Sequence, residues 1–184
     1  SDEAVVLAIH RNRMGLPSLV YSIDDIESNV DGNDLQQKVH NFLRYQKERH
    51  PSLRWLLILG DSEHLMPRKL WHYAFTRGQP FGDYYYSDVY FGGLDSDWDD
   101  DGDGKYGEVY FNGTVEADLN WDLFVGRVPV SNETQASNYI SKLIRYETDP
   151  PVGTWMSRFL NWGSLMEPPN LETTGYRYYP HKSN

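Results

Sequence analysis

The residues able to do chemistry crowd into one stretch of this chain. Asp95, Asp97, Asp99, Asp100, Asp101, Asp103 and Glu108 fall within 14 positions, 95–108, with Gly102, Gly104 and Gly107 between them. Alternating carboxylates in a loop suit a calcium ion, which takes about six to eight oxygen ligands and draws them from every second residue. Two registers fit. With Asp97 first, Asp97, Asp99, Asp101, Gly102 and Glu108 satisfy the pattern D-x-D-x-D-G-x₅-E in full. With Asp99 first, Asp99, Asp101 and Asp103 take the alternate ligand positions and Gly104 the sharp turn. Lys105 then offers its backbone carbonyl and Tyr106 an apolar anchor. The second register is preferred, because the first places the Lys105 cation at a ligand position. Glu108 then arrives two residues early, so the helices that flank a helix-loop-helix site need not exist. Without a cation, carboxylates this close would repel. Magnesium, a smaller ion that keeps its waters, suits so many protein oxygens less well.

Other candidates read equally well as ordinary structure. Gly60, Asp61, Ser62, Glu63 and His64 follow an apolar run, where open α/β sheets place functional loops. The same residues also make a solvated turn. Ser87 and Asp88 lie among tyrosines that packing would explain. His10, His40, His50 and His72 show no ligand spacing and are expected at the surface. No serine stands in a nucleophile elbow, and no glycine-rich phosphate loop follows a strand.

Composition removes several classes. Seventeen basic against 27 acidic residues leave a net charge of −10, which disfavours a nucleic-acid partner. There is no cysteine, hence no disulfide, thiolate metal site or cysteine nucleophile in these residues. The longest apolar run, residues 55–59, is far too short for a membrane span, and residues 1–10 lack a signal-peptide pattern. With 39% hydrophobic and 15% aromatic residues the chain is not disordered.

The elements that must position the acidic loop follow from periodicity. Residues 4–13 predict a helix stopped by Gly15, and residues 19–23 a short strand. Asn33 or Asp34 caps a helix carrying Leu35, Val39, Phe42 and Leu43 on one face, ended by Pro51. Residues 55–59 read as a strand buried on both faces. From about 66 to 120 the rhythm breaks into an excursion of irregular chain with short strands. It resumes with a strand at 121–126, a helix capped by Ser131 and running to about Glu147, and a strand at 158–164. This order predicts an α/β fold with a mostly parallel sheet and helices on both faces. Residues 1–184 form a single unit in this reading, incomplete at both ends, with no strand before the first helix.

In order along the chain, several motifs then resemble the gingipain-type cysteine peptidases, relatives of the caspases. They are Met14-Gly15-Leu16-Pro17 before a strand, Leu59-Gly60-Asp61 after one, and Met66-Pro67. Ser87-Asp88-Val89-Tyr90 follows, before the acidic loop, and then Phe124-Val125-Gly126-Arg127-Val128-Pro129 ahead of a capped helix. The resemblance implies the amino-terminal half of a three-layer caspase-like peptidase domain, with the catalytic His and Cys further along the native chain. It implies that Glu167 orients that histidine. It also implies that residues 176–184, with Tyr176, Tyr178 and Tyr179, line the substrate cleft.

Two functions follow. One is the amino-terminal part of a calcium-stabilised cysteine endopeptidase acting on protein or peptide substrates, with the remainder of the peptidase domain as partner. The other is a non-enzymatic, calcium-ordered binding module of a secreted or surface protein that uses the tyrosine-rich excursion. Calcium and the family both imply an extracellular or cell-surface location.

Overall fold

The computed structural model describes residues 2–76, 79–108 and 115–160. The chain divides into two units, Ser1–Asp149 and Pro150–Asn184, with the break at the Pro150-Pro151 pair.

In the first unit, α1 (Asp2–Arg13) carries Asp2 and Glu3 in its first turn and His10, Arg11 and Arg13 in its last, matching the helix dipole at both ends. Gly15 turns the chain away with a φ of +81°. The strand predicted at 19–23 does not form. Ser22 instead accepts a hydrogen bond from the Asp25 amide at 3.0 Å and caps α2 (Ile23–Asn29). Leu19, Val20 and Tyr21 stay exposed, with no strand beside them among the described residues. Apolar β propensity lost to capping chemistry here, because propensity needs a pairing partner to be realised. Asp34 caps α3 (Leu35–Arg49), accepting from the Gln37 amide at 2.8 Å, and α3 buries Val39, His40 and Leu43.

Strand β1 (Trp55–Leu59) pairs in parallel with β4 (Phe124–Val128), Trp55 opposite Phe124 and Leu59 opposite Val128. Leu56, Ile58 and Val125 pack into the main core. The alternate residues Trp55, Leu57 and Phe124 are 63%, 48% and 62% exposed, so β1 is not buried on both faces as its apolar run suggests. Among the described residues β1 has one strand neighbour, and a continuous apolar run cannot specify how many layers cover it. The resumed strand starts at Phe124 rather than at 121. Asn132, not Ser131, caps α4 (Glu133–Thr148), accepting from Gln135 at 3.0 Å. Helices α1 and α4 pack together. Glu147 fastens them, taking Arg11 Nη1 at 2.7 Å and His10 Nε2 at 2.8 Å.

Between β1 and β4 lies more order than the sequence suggests. Strands β2 (Arg68–Thr76) and β3 (Gln79–Ser87) form an antiparallel hairpin, from Arg68 opposite Ser87 to Thr76 opposite Gln79. Gly82 leaves room for the Trp71 ring, which any Cβ there would strike. A 3₁₀ turn, Asp88–Phe91, then delivers Tyr90 and Phe91 to the core. The core gathers Ile26, Val39, Leu43 and Ile58 from the α/β elements and Leu70, Tyr90, Phe91, Leu94, Trp98 and Leu123 from the excursion. The architecture is α/β with a parallel sheet and helices. It is consistent with a caspase-like fold, although the described residues hold two small sheets, one parallel and one antiparallel.

The second unit is described over residues 150–160. It has a 3₁₀ turn at Thr154–Ser157, with Trp155 Nε1 donating to Pro151 O at 2.8 Å. Of the strand predicted at 158–164, residues 158–160 have no regular structure and the rest lie outside the described residues.

Candidate metal centre and the sheet edge

The acidic loop is anchored by aromatic side chains. Trp98 is buried, and its Nε1 donates to Gly93 O at 3.0 Å. The Gly107 amide closes the loop onto Trp98 O at 2.6 Å. Gly107 has a φ of +76°, and a Cβ there would sit 3.2 Å from the Trp98 ring. At the loop's exit Tyr106 joins the edge of β2, accepting from the Trp71 amide at 2.8 Å. Within the loop, each of several carboxylates folds its own turn. Asp97, Asp101 and Asp103 accept from the amides two residues on, and Asp99 Oδ1 accepts from the Gly104 amide at 3.0 Å. Gly102 and Gly104 have φ of +73° and +83°, a region that side chains rarely adopt.

Two groups of carboxylates meet here. Oxygens of Asp99, Asp101 and Asp103 lie within 4.8 Å of one another, and so do those of Asp101, Glu108 and Glu116. Either group could hold a metal ion. Asp97 belongs to neither, its Oδ1 taking the Asp99 amide. Glu108 and Glu116 are buried, and the amide of Glu116 donates to the Glu108 carbonyl at 2.9 Å. Glu116 escaped sequence reasoning because it lies beyond the acidic run. The ammonium of Lys105 bonds Asp103 and lies 3.7 Å from Glu108. That bond to Lys105 holds the Asp103 carboxyl below its usual range, and the same bond raises the Lys105 ammonium.

A further acidic group, Asp95, Asp118 and Asp122, braces the loop's roots. Asp118 accepts from the amides of Asp95 at 3.0 Å and Asn120 at 2.9 Å, and Asp122 accepts from Leu94 at 2.8 Å. A buried arginine ties the loop's exit to α3. Arg68 makes a two-pronged contact with Asp34 at 2.6 and 2.8 Å. Its guanidinium sits over the rings of both Tyr90 and Tyr106, 4.5 and 4.1 Å from their centroids. Burial pushes the Asp34 carboxyl up, but Arg68 and the Gln37 amide outweigh it and hold it below its usual range. Burial carries the Tyr90 hydroxyl up to about 12 against the opposing pull of Arg68.

The second candidate region, at the carboxyl ends of β1 and β4, is a braced corner. The Gly60 amide donates to Val128 O at 3.0 Å and the Asp61 amide to Val130 O at 3.2 Å. The Asp61 carboxylate accepts from the Ser131 hydroxyl, from His64 Nδ1 at 2.9 Å and from the Glu63 amide at 3.1 Å. The Ser131 bond, then the His64 bond, hold its pKa at about 2. Arg127 grips Asp88 at 2.6 and 2.7 Å and donates to the carbonyls of Gly60 and Asp61. Ser87 is spent on capping, accepting from the Val89 amide at 3.2 Å. Asp61 and Asp88 therefore hold the corner together, and Ser87 caps the turn beside it. Glu167, Tyr176, Tyr178 and Tyr179 lie outside the described residues.

Two expected surface histidines are not at the surface. His10 and His40 are 9% and 4% exposed, because one meets Glu147 and the other a backbone carbonyl. Ligand spacing cannot detect either role.

An α/β domain whose parallel strands carry their loops to one edge, and whose long insertion gathers carboxylates in an aromatic frame, is the class that fold and site define. The chain belongs to peptidase family C25, the gingipain family, whose model matches residues 1–174 of the 184. Searches of curated proteins and of solved structures each returned no significant match. Among the described residues no helix is long and apolar enough to cross a membrane.

Proposed function

We propose that this chain is the amino-terminal part of a calcium-stabilised cysteine endopeptidase, secreted or held at the cell surface. The family match over residues 1–174 carries the reading. The reaction is thiolate attack on a peptide carbonyl, with a histidine moving the proton from thiol to leaving amine. The chain contains no cysteine, so the thiol comes from the remainder of the peptidase domain. These residues supply the scaffold, Glu167 the orientation of the imidazole, and Tyr176, Tyr178 and Tyr179 part of the cleft wall.

Calcium fits the loop by donor chemistry. Asp99, Asp101 and Asp103 converge through oxygen, Glu108 and Glu116 stand beside them in buried positions, and an oxygen-only set selects a hard cation. The ion would supply charge neutralisation for the clustered carboxylates. The binding-module reading draws on Tyr84, Tyr85 and Tyr86, which are 39%, 46% and 59% exposed. One experiment separates the two. The pure chain should hydrolyse no peptide in a mixed library. Joined to the native sequence that follows it, it should gain a hydrolysis abolished by thiol alkylation. Hydrolysis by the chain alone, or none by the extended protein, would remove the peptidase reading.

A further inference from the structure

His40 occupies a position that neither the peptidase reading nor the metal loop uses. It is 4% exposed on α3, and its Nε2 donates to the Gly93 carbonyl at 3.0 Å. That carbonyl also receives Trp98 Nε1 at 3.0 Å, so one acceptor joins α3 to the root of the acidic loop. The joint has no slack. A Cβ on Gly93 would sit 2.6 Å from the Asp118 carbonyl. With Nε2 carrying the proton, a second one must go on Nδ1, which has no hydrogen-bond partner among the described residues.

The charged surroundings oppose that second proton. On the same helix stands Arg44, which bonds Leu94 O at 2.8 Å. From β2 comes Arg68, stacked on Tyr90, whose ring lies 4.6 Å from the His40 ring. From the segment before β4 comes Asp118, an anion that favours the charge, already occupied by two backbone amides. Tyr90 is neutral across the physiological range.

We propose that His40 is an acid-sensitive joint: its protonation in mildly acidic solution places a buried charge where α3 meets the root of the acidic loop and so destabilises the first unit. Burial first, then Arg44 and Arg68, hold the ring below the ordinary histidine value of 6.5, against the Gly93 carbonyl and Asp118. The sign follows. Above that value both folded and unfolded rings are neutral and the joint contributes no pH dependence. Below it the unfolded chain gains a proton that the folded chain refuses. The folding constant then falls by about tenfold per pH unit until the folded ring titrates.

The test is thermal unfolding of the protein in chelator between pH 7.5 and 5.5, beside His40→Gln. The amide of His40→Gln keeps a donor for Gly93 but does not titrate. The wild-type midpoint should fall across this window and the variant should lose most of that fall. Equal slopes would overturn the proposal. Should His40→Gln fail to fold, the wild-type imidazoles can be titrated by NMR. The His40 ring should charge below 6.5 together with a change in the Trp98 indole N–H signal, and a ring that charges at or above 6.5 would equally overturn it. Chelator keeps the outcome independent of any bound cation.

Discussion

The β1–β4 pair and the excursion between its strands reverse the usual roles of regular and irregular chain. The parallel strands are regular, yet Trp55, Leu57 and Phe124 on one of their faces are about half exposed or more. The excursion is largely irregular past the hairpin, yet Phe91, Leu123 and Trp98 are 0%, 1% and 2% exposed. Its backbone is held by side chains instead of a ladder, through Trp98 on Gly93, Asp118 on two amides and Asp122 on a third. Packing density thus follows where aromatic anchors meet, and hydrogen-bonded regularity is a separate matter.

The sharpest way to break this contrast is a pair of truncations. Phe91→Ala should cost about 4 kcal/mol, the range for emptying a buried aromatic site. Leu57→Ala, on the regular strand, should cost about 1 kcal/mol or less, since much of that side chain is already in water. Urea unfolding measures both, and a larger loss at Leu57 would undo the comparison. Next in size is the cation. Calcium at a hundredfold excess over its dissociation constant should stabilise the protein by about 2.7 kcal/mol relative to chelator, seen as a raised melting temperature. Asp101→Ala should remove the response, because Asp101 belongs to both acid groups of the loop, while Asp97→Ala should leave most of it. A melting temperature indifferent to calcium would strike out the metal reading.

Smaller effects probe the regular half. Asn132→Ala deletes the cap of α4 and should cost about 1 kcal/mol, with Asn132→Asp restoring it. At the braced corner the Asp61 carboxyl, held at about 2 against an ordinary 3.8, favours the folded state above the ordinary value. That contribution fades as the pH falls from about 4 towards 2. Asp61→Asn should flatten this part of the acid-unfolding curve, followed by circular dichroism, and an unchanged curve would show that the corner does not depend on the charge.

Much of the α/β framework was legible because its signals are local. The Asp34 cap, the Val39 and Leu43 face, and the apolar run at 55–59 each declare an element within a dozen residues. Residues 19–21 misled for the complementary reason: their β propensity is real, but a strand requires a neighbour, and Ser22 offered a local cap instead. Asp99, Asp101 and Asp103 could be picked out by spacing. Glu116 could not, since it lies outside the acidic run and its meeting with Asp101 and Glu108 follows no periodicity. His10 and His40 were invisible because their partners, Glu147 and the Gly93 carbonyl, lie far away in sequence.

The Arg68 clamp bears on how fast this protein is made and lost. It unites Asp34, Tyr90 and Tyr106 with β2, so it can close only after the hairpin has formed and the acidic loop has returned to it. Contacts across such separations are entropically late. An interaction absent from the folding transition state governs escape from the native state more than arrival there. Tyr106→Leu, which removes one face of the clamp, should therefore quicken unfolding in stopped-flow measurements while leaving the refolding rate nearly untouched. The clamp would act as a latch on the lifetime of the folded molecule.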